Sequence, residues 1–151
     1  MAKAAPVNHI LVLVDGSEAS YKAADCAIDL ARALGARLTA LAVVDTETLR
    51  QLLSVKILVD AEMGELEKEL QESAKRQLAE VRQRALDRRL VIEEALVMGN
   101  METVVPKEVE ARGVDLIAIG GFQARQAMRD LVARQRQQIV DRAPCPVLLV
   151  R

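Results

Sequence analysis

Short apolar runs alternate with longer stretches of helical periodicity along the whole chain, the pattern of a parallel sheet covered by helices on both faces. The first run, Ile10 to Val14, is closed by Asp15-Gly16-Ser17, and Ser17 or Ser20 can cap the helix that follows. That helix carries Ala24, Ala27, Ile28, Ala31 and Leu34 at core spacing and stops at Gly35. Leu38 to Val44, bounded by Gly35 and by Asp45-Thr46, predicts a second strand. Thr46 to Met63 holds Leu49, Leu52, Leu53, Ile57, Leu58 and Val59, and reads as either a short helix or a mobile flap. From Gly64 to Arg89 the pattern clears: Leu66, Leu70, Ala74, Leu78, Val81 and Ala85 define one face of a long amphipathic helix. The run is too short for four heptads, so packing on the domain's own sheet is expected in preference to a coiled coil.

Val91 to Val97 predicts strand three, followed by the turn Met98-Gly99-Asn100. Asn100 can cap the next helix, Pro106 should restrict its first turns and Gly113 should end it. Leu116 to Ile119 predicts strand four. Arg125 to Arg142 reads as a helix with Met128, Leu131, Val132 and Ile139 inward, and Pro144-Cys145-Pro146 introduces a last strand, Val147 to Val150. The fold class is α/β: one open five-stranded parallel sheet with helices on both faces, in a single domain over residues 1–151 whose first six residues are expected to be a flexible lead.

Composition narrows the function. Apolar residues make up 51% of the 151, enough for a substantial core, but aromatics are only 1%, the single Tyr21 and Phe122. Stacking platforms for single-stranded nucleic acid are therefore missing, and a formal charge of -1 offers no global attraction to nucleic acid or anionic lipid. No apolar run reaches the length of a membrane helix and Met1 to Pro6 is too short for a signal peptide, so a cytoplasmic protein with neither nucleic-acid nor membrane partner is expected. Cys26 and Cys145 lack metal-like spacing and read as reduced core thiols, and the lone His9 as a surface or strand-edge residue. One histidine, no P-loop and no metal-ligand cluster leave no catalytic constellation, so no enzyme is expected.

Four segments together resemble the universal stress protein family: the strand ending in Asp15-Gly16-Ser17, the Gly99 turn, Val114 to Gly120, and the closing Ala143 to Val150. The resemblance runs from about Val7 to Arg151. It implies a sheet of order 3-2-1-4-5 and a homodimer joined through the last strand, Val147, Leu148, Leu149 and Val150. In that order the connection reverses between strands one and four, placing a ligand crevice at their carboxyl ends, where Asp15 and Gly120 fall. The family's nucleotide-binding members resemble one another in a segment of three glycines and a Ser or Thr whose amides approach phosphate. Here the first glycine is Gly120, but Gln123, Ala133 and Arg134 stand at the other three positions.

By the same resemblance Leu13 and Asp15 match adenosine contacts, and Val43 and Ile119 match the apolar walls around them. Asp15 equally suits an Asx-turn or cap closing strand one, and Val43 and Ile119 suit ordinary core better than a binding role. Arg125, Arg129, Arg134 and Arg136 fill the former glycine segment. They read either as a solvated helix face, with Asp130 four residues before Arg134, or as guanidinium contacts for an anion. The function that follows is a universal stress protein of the non-ATP-binding type, without cofactor, dimeric and acting through a protein partner. The alternative is a regulatory switch binding ATP, AMP or another anion through Asp15, Gly120 and Arg125, Arg129 or Arg134.

Overall fold

The computed structural model describes residues 7–54, 60–121 and 131–151. Five strands, β1 (His9–Leu13), β2 (Arg37–Val44), β3 (Glu93–Met98), β4 (Leu116–Gly120) and β5 (Val147–Val150), form one parallel sheet of order β3-β2-β1-β4-β5. The helices are α1 (Glu18–Leu34), α2 (Thr46–Ser54), α3 (Asp60–Asp87), α4 (Met101–Arg112) and α5 (Leu131–Arg142). Both faces of the sheet are covered, and alternation along β1 shows how. Ile10, Val12 and Val14 pack with α1 and α3, whereas Leu11 and Leu13 pack on the other side with Val105 and Val109 of α4 and Ile139 of α5. A strand buried on both faces is apolar wherever its side chains find no hydrogen-bond partner, which is why β1 reads as an unbroken run from Ile10 onward.

Helix boundaries follow their caps. The Ser17 hydroxyl accepts from the Ser20 amide at 3.1 Å, while Ser20 itself is buried, so Ser17 is the cap. Asn100 caps α4 by accepting from the Glu102 amide at 2.8 Å. Gly35 and Gly113 close α1 and α4 in the left-handed region, at φ 64° and 66°. Pro106 sits inside α4, beyond its first turn.

Several expectations need correction. The face of α3 is buried only at Ala74, Leu78, Val81 and Ala85; Leu66 is half-buried and Leu70 is 39% exposed. A helix of 28 residues is roughly 42 Å long, well beyond the span of strands of six to eight residues, so its N-terminal half overhangs the sheet. Leu34, expected inward, is exposed at the last residue of α1. Thr46 to Ser54 is helical, residues 55–59 lie outside the described residues, and α3 begins at Asp60, ahead of Gly64. Of the helix expected over Arg125 to Arg142, the part from Leu131 is helical with Ile139 buried, and residues 122–130 fall outside the described residues.

His9 is not a surface residue. It is 2% exposed at the start of the central strand, its Nδ1 lying 2.9 Å from the Arg112 carbonyl oxygen and its Nε2 2.7 Å from Thr39 Oγ1. A carbonyl only accepts, so Nδ1 carries a proton. Thr39 in turn lies 3.3 Å from Glu93, which Arg37 holds at 2.5 Å. The Arg37 contact, working against the cost of burial, holds the Glu93 carboxyl below its usual range. Cys26 and Cys145 are unbridged and half-buried, and burial raises the Cys145 thiol.

Candidate functional site

The carboxyl ends of β1 and β4 are adjacent because Ile10, Leu11 and Val12 pair in parallel with Leu116, Ile117 and Ala118, and the direction in which successive strands are added to the sheet reverses at this pair. The chain leaves β1 through Val14, Asp15 and Gly16, the last at φ +81°, before α1 begins. That turn puts the Asp15 carboxylate at the rim, where Oδ1 accepts from the Ser17 amide at 2.9 Å. The bond is an Asx-turn, so the local reading of Asp15 holds.

Its second oxygen is also engaged. Arg136, from the middle of α5, donates through Nη2 to Asp15 Oδ2 and lies 3.3 Å from Ser17 Oγ. The crossover from β4 to β5 returns α5 over the sheet with its N-terminal half toward the strand carboxyl ends, which brings position 136 there. The Arg136 side chain is 13% exposed and that of Asp15 31%. Burial works against the Asp15 charge, but the Ser17 hydrogen bonds and the Arg136 guanidinium outweigh it and hold the carboxyl below its usual value. Asp15 is therefore an anion at neutral pH and does not serve as a proton donor.

Leu13, Asp15, Val43, Ile119 and Gly120, the five residues expected around a nucleoside, all line one cavity. Val14, Ser20, Leu41, Met101 and Arg136 also line it. Its free volume is only about 10 Å³, room for about one water molecule, where a small-ligand pocket has roughly 300 Å³ or more. Gly120 has a packing reason of its own. A Cβ there would stand 2.7 Å from the carbonyl carbon and oxygen of Ala19, so β4 can approach the first turn of α1 only without a side chain.

Among the cations, Arg134 is exposed on α5 and lies outside this lining, while Arg125 and Arg129 fall outside the described residues. Arg136 belongs to the basic segment read as a solvated face or as anion contacts, and the carboxylate it meets is the protein's own Asp15. A signal for it exists in the spacing: it stands three residues before Ile139, and a cation on the inward stripe of a helix needs an internal partner. A separate open groove of about 510 Å³ runs between α2 and the β3–α4 turn, lined by Thr46, Glu47, Arg50, Gln51, Ser54, Gly99 and Asn100. None of the five candidate residues lines it. Among the described residues there is no group of three or more His, Cys, Asp or Glu arranged to hold a metal, and no helix long and apolar enough to cross a membrane.

Residues 6–151 match the model of the universal stress protein family. The chain belongs to the universal stress protein family. A putative universal stress protein of Staphylococcus haemolyticus is 32% identical over 145 residues, covering 95% of this chain and 84% of that protein. Among solved structures, a universal stress protein family member from Burkholderia pseudomallei superposes with a TM-score of 0.75 at 23% identity, covering 98% of each chain. The universal stress protein of Archaeoglobus fulgidus in complex with dAMP superposes with a TM-score of 0.65 at 15% identity, over 96% of this chain and 98% of that one. At those identities the structural matches establish the fold: an open α/β sheet of order 3-2-1-4-5.

Proposed function

We propose that this universal stress protein is of the non-ATP-binding type: a cytoplasmic, non-enzymatic homodimer that acts in the stress response through a protein partner, without a nucleotide cofactor. The observation that carries the reading is the state of the strand 1/strand 4 crevice. It has the lining expected of a nucleoside site but is closed to about 10 Å³, with its carboxylate satisfied from within by Ser17 and Arg136. The sequence supports the same reading at the phosphate end, where Gln123, Ala133 and Arg134 replace two small backbone-exposing glycines and a hydroxyl. A dimer is supported by β5, which closes one edge of the sheet and exposes Leu149 at 41%.

The alternative is a regulatory switch for ATP, AMP or another anion, and it has a specific point in its favour. The dAMP complex of the Archaeoglobus fulgidus protein shows that a chain of this fold takes an adenine nucleotide, and the lining residues here have the chemistry for one. Calorimetric titration with ATP and AMP separates the readings. The first expects neither nucleotide in the purified protein and no saturable heat; co-purified ATP, or saturation at micromolar concentration, establishes the alternative.

A further inference from the structure

The mouth of the crevice combines features that are individually ordinary. Its lining is largely apolar, from Leu13, Val14, Leu41, Val43, Met101 and Ile119, with Ser20 and Gly120 beside them; its one carboxylate among the described residues is Asp15. Apolar walls with a single carboxylate at the rim suit a flat heterocycle joined to a sugar whose hydroxyls donate to the carboxylate, which is the chemistry of a nucleoside. The free volume is about 10 Å³, and the side chain of Arg136 is part of the lining. Arg136 is the one residue of α5 in the lining among the described residues, it is nearly buried, and its guanidinium uses the carboxylate oxygen that a ligand hydroxyl would require.

We propose that Arg136 is a tethered occupant of the crevice, an intramolecular plug that excludes a nucleoside by taking its place against Asp15. The proposal rests on the reading that the crevice is closed in the native protein, and extends it by separating two causes of exclusion. The missing glycines remove the grip on phosphate, whereas Arg136 removes room for the nucleoside itself. Guanidinium departure does not disturb the backbone: Ser17 still caps α1 and Oδ1 of Asp15 still accepts from the Ser17 amide. Opening is therefore a side-chain rearrangement, with Arg136 free to move into solvent along its flexible stem.

A protein whose competent state is a minor population shows an affinity reduced by that fraction. If the plug is out for about 1–10% of the time, removing it strengthens nucleoside binding about 10–100-fold. The test compares the native chain, Arg136→Ala and the control Arg134→Ala, all full-length, by calorimetry with adenosine and with ATP. A second readout uses Ser20→Cys, since Ser20 lines the cavity and is 2% exposed. Labelling by iodoacetamide is followed at the introduced thiol and at Cys26 in the same helix, so that loosening of α1 as a whole is recognised by a parallel rise at both thiols.

The expected result is saturable adenosine binding to Arg136→Ala at least about tenfold tighter than to the native chain or Arg134→Ala. The introduced thiol should also label about tenfold faster in the Arg136→Ala background, with Cys26 unchanged. Equal labelling in the two backgrounds, or a parallel rise at Cys26, overturns the plug. Faster labelling without adenosine binding overturns the nucleoside as the excluded ligand. ATP binding to the native chain defeats the reading of the function instead, and the plug is then judged on the ratio of adenosine affinities alone.

Discussion

At the scale of single residues, two positions that look functional in the sequence have structural duties that can be measured. Gly120 opens the family's phosphate segment, but its neighbours are the Ala19 carbonyl and the Ser20 amide, which a Cβ would meet at 2.7 and 2.9 Å. These are backbone atoms of a capped helix turn and cannot swing aside as a side-chain tip would. Gly120→Ala should therefore cost about 1–3 kcal/mol through overpacking, lowering the melting temperature by several degrees. A variant that melts with the native protein would show that β4 and α1 are less closely apposed than the structure has them. His9 illustrates the opposite case, a residue with no visible role in the sequence whose ring joins β1 to β2 and to the end of α4 through Thr39 and the Arg112 carbonyl. Its partners are 30 and 103 positions away. No local pattern contains them.

At the scale of elements, apolar runs located every strand to within two residues at either end, and Ser17, Gly35, Asn100 and Gly113 marked the helix ends by their cap chemistry. These signals are legible because they depend on neighbours in sequence. Periodicity also gave the inward face of α3, but not how far the opposing layer extends, and so Leu70 was read as core although it overhangs the sheet. The order of the strands came from the family resemblance, since parallel pairing is a tertiary matter. β5 carries the next prediction. It pairs with β4 on one side, ends the sheet on the other, and presents Leu149 to solvent. Edge pairing with a second copy would bury this strand, and a charge at Leu149 opposes it. The native chain should sediment as a dimer at micromolar concentration and Leu149→Lys should shift to monomer; a native monomer, or a variant that dimerises as well as the native chain, refutes assembly through this edge.

At the scale of the whole molecule, the two ends of the sheet are finished differently. Where the strands begin, Asp115 accepts from the Asn8 and His9 amides at 2.7 and 3.0 Å, and a chain of polar contacts runs from His9 through Thr39 and Glu93 to Arg37. Where they end, the crevice expected from the sheet order is present with all five expected lining residues, yet closed by Arg136. The lining followed from the family resemblance, which assigns each member to a position in or just beyond a strand that the apolar pattern locates. The closure did not, because it depends on how α5 is laid over the crossover. Restoring the family segment tests the phosphate end separately from the plug. Gln123→Gly, Ala133→Gly and Arg134→Ser together should raise ATP affinity only weakly while Arg136 remains, and clearly once Arg136→Ala is added. Full ATP affinity from the three changes alone would mean that Arg136 yields without resistance.

The charge pair at the crevice also has a signature in acid. Asp15 is held below its ordinary value of 3.8: burial raises it, but the Ser17 hydrogen bonds and Arg136 outweigh that cost. Because the folded value is the lower one, the carboxylate stabilises the folded chain fully at pH above its unfolded value. The contribution is lost as pH falls through the depressed folded value, where the native state takes up the proton. Asp15→Asn keeps an oxygen for the Ser17 amide but removes the charge that faces Arg136. At neutral pH the variant should be less stable than the native chain by about 1–2 kcal/mol, as for a charge-assisted hydrogen bond that is partly open to solvent. The gap should narrow as the pH is taken well below 3.8. Glu93 is depressed in the same direction and weakens both proteins in acid, so the quantity to follow is the difference between them, by denaturant titration at a series of pH values. A difference that stays constant from neutral to strongly acid pH would place the stabilisation in the Asx-turn geometry and not in the ion pair, and Arg136 would then be held at the crevice by packing alone.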